Sequence, residues 1–182
     1  MSNVKRINAI AVLTSGGDSP GMNCVIRSIV RSAIGHGIKV YGIKQGYDGL
    51  LNNEMHELNA SSVGNIIQRG GTILQSSRCP EFKEAHNREK AAQILADRGI
   101  DALIVIGGDG SFKGAIALNE ECKIPVIGIP GTIDNDISGT EYTIGFDTAV
   151  QTAIDAVDKI RDTAAANNRT FFIEVMGAES SS

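Results

Sequence analysis

The hydrophobic pattern of the chain alternates between short unbroken apolar runs and longer segments in which apolar residues recur at helical spacing. The short runs are rich in β-branched residues and are bounded by turn-forming residues, which is typical of buried strands. Strands are therefore predicted over residues 7–13, 38–43, 101–106, 125–129 and 170–175.

The segments with helical spacing each place one apolar stripe along a predicted helix. Val150, Ile154 and Val157 form such a stripe late in the chain, and Gly35 and Gly37 end the first helix. Turn signals between 44 and 59 predict a loop and a short hairpin there. Helices are predicted over residues 22–34, 61–68, 87–98 and 111–118, and along a long segment around 150–160.

Strands that alternate with helices predict an α/β fold in which a mostly parallel sheet carries helices on both faces, a Rossmann-type three-layer arrangement. The carboxyl ends of parallel strands meet at one edge of such a sheet, where ligands bind. Loops rich in glycine follow three of the predicted strands, at Ser15–Gly21, Gly107–Ser111 and Pro130–Asp136. We expect these three loops to converge on one site.

The chemistry of the loops indicates phosphoryl transfer. Glycines expose backbone NH groups that can cradle phosphate, and the carboxylate of Asp109 offers the hard oxygen ligands that Mg²⁺ prefers. Glycine and aspartate also serve ordinary turns, so each loop alone is open to a structural interpretation. The coincidence of three loops favours the functional one.

Two carboxylates in the third loop, Asp134 and Asp136, flank Asn135. One of them can act as a general base toward a sugar hydroxyl while the other orients metal or phosphate, and Thr132 offers a hydroxyl and an NH to a phosphate. The competing interpretation is an Asx-rich turn without chemistry.

The composition narrows the classes of partner and compartment. The 17 basic and 21 acidic residues among 182 leave a formal charge of −4, which disfavours a nucleic acid or an anionic membrane as partner. The apolar run that follows Lys5 and Arg6 is too short for a secretory signal. The three widely spaced cysteines lack metal-ligand spacing, so reduced thiols in a cytoplasmic protein are expected.

Several segments together resemble the bacterial ATP-dependent 6-phosphofructokinase family, over about residues 5–177. A Gly-Gly-Asp-Gly loop also occurs in lipid kinases and NAD kinases, but those families do not explain the third loop together with the first. The segments that carry the resemblance are Leu13–Asn23, Arg69–Thr72, Ser77–Phe82, Val105–Ser111, Pro130–Asp136, Thr143–Phe146 and Glu174–Gly177.

The resemblance implies phosphoryl transfer from MgATP to the 1-hydroxyl of fructose 6-phosphate, the committed step of glycolysis. The resemblance implies that Asp134 is the catalytic base and that Arg78 and Thr132 are further catalytic residues. It also implies that Mg²⁺ binds at Asp109 and Asp136. ATP is expected at Gly17, Arg78, Cys79, Gly108, Asp109, Gly110 and Ser111. The sugar phosphate is expected at Thr132, Ile133, Asp134, Arg169, Met176 and Gly177, with Arg169 reaching a neighbouring subunit.

The resemblance also bears on the phosphoryl donor. Pyrophosphate-dependent relatives carry an aspartate and a lysine at the positions of Gly110 and Gly131, where they fill the space that adenosine needs. The two glycines therefore favour ATP.

Without the resemblance, three further arginines would be interpreted as solvated surface charges. Arg27 and Arg31 lie four residues apart on the first predicted helix, and Arg161 lies on the late one. The resemblance implies that they belong to an effector site for ADP or phosphoenolpyruvate between the subunits of a homotetramer.

The resemblance ends after Gly177. The family has an arginine where this chain has Ala178, and then a second, sugar-binding domain. We therefore expect an ATP-binding domain with the start of the sugar-binding part over 1–177, a tail outside the family pattern over 178–182, and a second domain that is largely missing. Two alternatives follow: an ATP-dependent 6-phosphofructokinase, or a catalytically inactive nucleotide-binding fragment of one.

Overall fold

A six-stranded sheet runs through the computed structural model, which describes residues 6–175. Neighbouring strands lie in the order β3-β2-β1-β4-β5-β6, and every pair is parallel except β2 with the edge strand β3. The parallel register pairs Val12 of β1 with Ile104 of β4. The strands are β1 Ala9–Thr14, β2 Lys39–Ile43, β3 Met55–Leu58, β4 Ala102–Gly107, β5 Val126–Thr132 and β6 Ile144–Gly145.

Helices lie between each pair of successive strands from β1 to β5, as expected for an α/β fold, and a long helix follows β6. Gly21, in the left-handed conformation at φ 94°, lets the chain turn from the first loop into the first helix. The α-helices are α1 Met22–Gly35, α2 Gly46–Leu51, α3 Ala85–Asp97, α4 Asp109–Cys122 and α5 Phe146–Asn167, and a 3₁₀ helix spans Pro80–Lys83.

Side chains alternate across the sheet and fill one core on each face. Leu13 and Leu103 pack on one face with α2, α3 and α4, whereas Val12 and Ile106 pack on the other with α1. All four side chains are fully buried. The predicted mostly parallel sheet with helices on both faces is therefore confirmed.

Most predicted elements are present within a few residues of their expected bounds, but the short helix predicted over 61–68 is wrong. That segment forms successive turns, in which Asn59 Oδ1 accepts hydrogen bonds from the backbone NH groups of Ser61 and Ser62. Asn65 also has a positive φ of 53°, which a continuous helix cannot contain. Val63 and Ile66 are buried as part of the core rather than as a helix stripe.

The structure corrects two further predictions. Residues 44–59 contain the helix α2 between β2 and its antiparallel partner β3, so the connection is longer than a hairpin turn. Residues 170–175 form no strand, and Phe172 is 98% exposed there. Within the described chain β5 pairs instead with the two-residue strand β6, which the apolar pattern was too short to predict.

The helix α5 differs from α1, α3 and α4 because none of its 22 residues is buried. Its apolar stripe is present as predicted, with Val150, Ile154 and Val157 each more than a third exposed. None of the helices in residues 6–175 has the length and apolar character to cross a membrane.

Candidate functional site

A cleft of about 1020 Å³ opens at the carboxyl ends of β1, β4 and β5. The three glycine-rich loops line it, which confirms that the central strands bring them to one edge of the sheet. The predicted residues that line the cleft are Gly17, Arg78, Cys79, Gly108, Asp109, Gly110, Ser111, Thr132, Ile133, Asp134 and Asp136.

The second loop passes directly from β4 into α4. Gly108 is the N-cap of α4 and the helix starts at Asp109, so the first-turn NH groups and the positive end of the helix dipole lie at the cleft. A Cβ atom on Gly107 would lie 2.6 Å from the carbonyl oxygen of Ser15, whereas one on Gly110 would meet nothing within 4 Å. Gly107 therefore allows two loops to touch, and Gly110 leaves space open to a ligand.

Asp109 forms an ion pair one helical turn away, with its Oδ2 atom 2.6 Å from Lys113 Nζ. Both side chains are exposed and line the cleft. The carboxylate raises the pKa of Lys113 above its ordinary value. The N-terminal end of α4 thus presents a carboxylate and a lysine ammonium group to the cleft.

The first loop is tied to the segment that carries Arg78. Ser15 donates its backbone NH to the carbonyl of Ile106 at 3.0 Å, and Ser76 Oγ donates to the carbonyl of Gly16 at 2.6 Å. Gly16 in turn donates its NH to the carbonyl of Ser77 at 3.4 Å. These contacts place Arg78 and Cys79 at the cleft, although both residues lie far from the glycine loops in sequence.

Cys79 is half-buried beside two carboxylates. Burial, and secondarily the neighbouring Asp48, raises the pKa of this thiol to about 12, and its Sγ lies 3.8 Å from Glu81 Oε2. The thiol is therefore neutral at physiological pH and can contribute contact area to a ligand but not a nucleophile.

Asn135 makes two side-chain hydrogen bonds in the third loop. Asn135 has a positive φ of 50°, its Oδ1 accepts the NH of Thr143 at 2.8 Å, and its Nδ2 donates to the carbonyl of Glu141 at 3.1 Å. These bonds reach Glu141 and Thr143, so Asn135 ties the loop to a later segment rather than closing a local Asx turn. Asp134 is half-buried and Asp136 is exposed, and both line the cleft.

Thr132 anchors the start of the same loop. Its Oγ1 accepts the backbone NH of Asp134 at 3.2 Å, and its carbonyl accepts the hydroxyl of Thr143 at 2.7 Å. The position of Asp134 at the cleft is therefore fixed from both sides of the loop.

An aromatic pair at the floor of the cleft was missed by sequence reasoning. Tyr47 and Phe82 stack with ring centroids 3.9 Å apart, and the Tyr47 hydroxyl donates to the carbonyl of Ser111 at 2.7 Å. Burial raises the pKa of Tyr47 well above its ordinary range. Phe82 lies inside a segment that carried the family resemblance, whereas Tyr47 lies in the stretch predicted as a loop and a short hairpin, where no pattern marked it as a site residue.

Lys83, Arg88 and Gly114 also line the cleft and were not predicted. The side chain of Arg88 is only 10% exposed. An arginine on a helix is usually solvated, so the sequence alone offered no reason to place it in a cleft. Gly114 lies on α4, where a Cβ atom would be 3.2 Å from Phe82 and 3.3 Å from Tyr47.

The remaining predicted residues lie away from the cleft or outside the described residues. Arg27 and Arg31 line a separate depression of about 470 Å³ on α1, and Arg161 pairs with Asp158 on α5 at 3.1 Å. Arg169 is exposed just after α5. Met176 and Gly177 lie outside the described residues.

The fold and the cleft define an α/β protein with a candidate phosphate-binding site at its sheet edge. The phosphofructokinase family model matches residues 9–182, and the chain belongs to the phosphofructokinase family.

Relatives and solved structures agree with this assignment. The chain is 62% identical over 171 residues to the ATP-dependent 6-phosphofructokinase of Staphylococcus epidermidis and 63% identical to that of Staphylococcus carnosus, covering 93% of this chain and 53% of each relative. The structure of phosphofructokinase from Saccharomyces cerevisiae superposes with a TM-score of 0.82 at 37% identity, covering 89% of this chain and 25% of that one. The chain thus spans about half the length of the curated relatives it matches.

Proposed function

We propose that this chain provides the nucleotide-binding half of an ATP-dependent 6-phosphofructokinase, which phosphorylates fructose 6-phosphate to fructose 1,6-bisphosphate in cytoplasmic glycolysis. The observation that carries this proposal is the convergence of three glycine-rich loops, with their carboxylates, in one cleft at the sheet edge. The staphylococcal relatives bear the name of that activity and share more than three fifths of the aligned residues.

ATP is the proposed donor because the cleft has space and apolar surface for a nucleoside. The open position beside Gly110 faces a cavity large enough for a small-molecule ligand, and the Tyr47–Phe82 pair, which is almost wholly buried, lies at the floor of that cavity. At Gly131 a Cβ atom would already lie 3.0 Å from Ile106, so a larger residue would displace its neighbours. The open position at Gly110 supports a donor larger than pyrophosphate, whereas the constraint at Gly131 comes from packing against the core.

The phosphates of ATP would meet the first turn of α4, where Gly108, Gly110 and Ser111 present NH groups, and the first loop at Gly17. The donor set also fits Mg²⁺, because Asp109 and Asp136 bring carboxylate oxygens from two loops to one cleft. Bound Mg²⁺ would neutralise charge on the phosphate oxygens. Asp109 and Asp136 are the residues that would hold it.

The acceptor chemistry is proposed for Asp134. Its carboxylate takes the proton of the sugar 1-hydroxyl while that oxygen bonds to the γ-phosphorus, and the bond from the γ-phosphorus to the bridging oxygen breaks to release ADP. Arg78 stabilises charge on the transferring group, and Thr132 and Ile133 contact the substrate side. Arg169, Met176 and Gly177 are proposed for the sugar phosphate, with Arg169 serving a neighbouring subunit of a homotetramer.

A second candidate, an inactive nucleotide-binding fragment, is favoured by the charge distribution of the cleft. Within the described chain, the cations that line the cleft are Arg78, Lys83, Arg88 and Lys113. The charged groups that the loop 131–136 contributes to the cleft are all carboxylates. A sugar 6-phosphate beside that loop would need cations from elsewhere. This candidate binds ATP without turnover.

An effector role is also proposed for Arg27, Arg31 and Arg161 with ADP or phosphoenolpyruvate. The depression on α1 supports the first two, because Arg27 and Arg31 line it together with Ser28 and Ser32. The inter-subunit arrangement would bring Arg161 from another subunit.

The test is a coupled assay of fructose 1,6-bisphosphate formation from MgATP and fructose 6-phosphate, with calorimetric titration of ATP on the same sample. Turnover that Asp134→Asn reduces by about 10²-fold or more supports the kinase. ATP binding without turnover selects the inactive fragment. A folded sample that binds no ATP overturns both candidates.

A further inference from the structure

Arg88 is a buried cation whose contacts connect two helices with the aromatic floor of the cleft. It lies on α3, and its side chain is only 10% exposed. Its Nε and NH2 groups donate to the two carboxylate oxygens of Glu121 on α4, at 2.6 and 2.7 Å. A bidentate pair of this kind fixes both the distance and the orientation of the guanidinium group.

The third guanidinium nitrogen holds the backbone of the 3₁₀ helix Pro80–Lys83. Arg88 NH1 donates to the carbonyl of Phe82 at 2.8 Å and to that of Lys83 at 2.6 Å. A 3₁₀ helix this short has few hydrogen bonds of its own, so its position depends on contacts from outside. Here those contacts come from a side chain that is itself held in place by Glu121.

The contacts form a closed ring around one side of the cleft. From Glu121 the ring passes through Arg88 to Phe82, across the stacked rings to Tyr47, and through the Tyr47 hydroxyl to the carbonyl of Ser111. Glu121 and Ser111 lie near opposite ends of the same helix, α4. The ring therefore sets the distance between the aromatic floor and the helix end proposed to bind phosphate.

We propose that Arg88, held by Glu121, is a positioning residue that sets the place of Phe82 and thereby the affinity of the cleft for the nucleoside part of ATP. This inference rests on the proposed function, since it assumes that the cleft binds ATP. Arg88 also lines the cleft, and the proposal assigns its effect on affinity to Phe82 rather than to direct contact with the nucleotide.

The experiment is a double-mutant cycle on ATP affinity, measured by isothermal titration calorimetry in Mg²⁺ buffer. The variants are Arg88→Met, Phe82→Ala and the double variant, with Arg98→Met as control. Arg98 follows the last residue of the same helix and donates to Asn53 Oδ1 on the surface, away from the ring. We expect Phe82→Ala and Arg88→Met each to raise the dissociation constant about tenfold, and Arg98→Met to leave it unchanged.

The decisive result is the effect of Arg88→Met in the Phe82→Ala background. If Arg88 acts through Phe82, the second substitution changes the dissociation constant less than about twofold, since the residue that it positions is already gone. Effects that multiply in the double variant, or an Arg88→Met protein with unchanged affinity, overturn the proposal. A general loss of structure would also act in the Phe82→Ala background, so the cycle separates positioning from mere destabilisation.

Glu121→Gln takes the place of Arg88→Met if that variant does not fold. Glu121 is 41% exposed and its replacement leaves the arginine and its carbonyl contacts in the chain. The same cycle with Phe82→Ala then gives the same two outcomes. An unsubstituted chain that binds no ATP overturns the proposed function and this inference together, whereas binding with multiplying effects overturns the inference alone.

Discussion

The two flanks of the sheet differ in how far the chain covers its own apolar surface. Around β1 and β4, Leu13 and Leu103 are fully buried between helices. At the other flank Ile127 of β5 is 60% exposed, Val157 is 38% exposed, and α5 buries none of its residues. The glycine loops after β1 and β4 therefore rest on a complete core, whereas the loop that carries Asp134 rests on the open flank.

The two halves of the proposed chemistry are therefore supported unequally. The phosphate-binding end of α4 and the aromatic floor are fixed by packing and by hydrogen bonds on the covered side. In the loop that carries Asp134, Thr132 Oγ1 accepts the NH of Asp134 and Thr143 donates to the carbonyl of Thr132. Nucleotide binding should thus tolerate disturbance of the open flank, and turnover should not.

The largest expected effect is a contrast in stability between Leu103→Ala and Val157→Ala. The fully buried Leu103 should lose about 2–5 kcal/mol of unfolding free energy when truncated, through lost burial and the cavity left behind. Val157, on the open flank, should lose at most about 0.5 kcal/mol. Urea unfolding followed by circular dichroism measures both, and similar losses for the two variants would show that the flanks are equally packed.

The next effect contrasts two glycines within one loop. Gly107→Ala would place a Cβ atom 2.6 Å from the Ser15 carbonyl and 2.7 Å from Ser111 Oγ, which we expect to lower the unfolding free energy by about 1–3 kcal/mol. Gly110→Ala meets no neighbour and replaces a helical glycine, so it should be neutral or stabilising by up to about 1 kcal/mol.

The same pair sharpens the ligand hypothesis when ATP affinity is measured beside stability. Gly110→Ala should weaken ATP binding without loss of stability, because the added methyl group occupies the open space at the helix end. Unchanged affinity in this variant would place the phosphates elsewhere in the cleft.

The flank around β1 and β4 could be predicted from the sequence, because its strands and helices each show their burial in the apolar pattern of their own residues. The unbroken run at 101–106 and the stripe containing Met22, Ile26 and Val30 each reflect burial within this chain, and both elements are present. The glycine loops were predictable for a related reason, since a loop after a parallel strand has a fixed place at the sheet edge.

The missed parts depend on contacts distant in sequence. Residues 170–175 have the apolar character of a strand, but a strand also needs a neighbour to pair with, and Phe172 is 98% exposed. Tyr47 reaches the cleft only because α2 packs against the 3₁₀ helix, and no local pattern encodes that contact. Arg88 is held by Glu121, which lies 33 residues further along the chain, so no local pattern marks it.

A smaller effect tests the turn that holds Asp134 on the open flank. Asn135→Gly keeps the positive φ but removes both side-chain hydrogen bonds, and Asn135→Ala also introduces backbone strain. We expect losses of about 1 kcal/mol for glycine and about 1–2 kcal/mol for alanine, with turnover falling more than ATP affinity. Thermal unfolding, ATP titration and the coupled assay on the same samples measure this, and a matching fall in ATP affinity would contradict the separation of the two halves.

The smallest effect compares one ion pair from each flank, Arg88–Glu121 on the covered side and Arg161–Asp158 on α5. Hydrogen bonds from Arg88 hold the pKa of Glu121 below its ordinary value. A depressed carboxyl pKa contributes stability above the unfolded pKa of about 4.3, and that contribution is lost as the pH falls through the folded value.

Glu121→Gln should therefore lower the melting temperature at pH 7, and the gap to the unsubstituted chain should close as the pH falls below about 4. Asp158→Asn is the matched control, because that pair is exposed on both sides and surface pairs of neighbouring helical turns contribute little. Melting curves at pH 7, 5, 4 and 3 measure both variants. A gap for Glu121→Gln that persists at pH 3 would mean that the glutamine disturbs packing rather than charge, and an equal gap for Asp158→Asn would remove the distinction between the flanks.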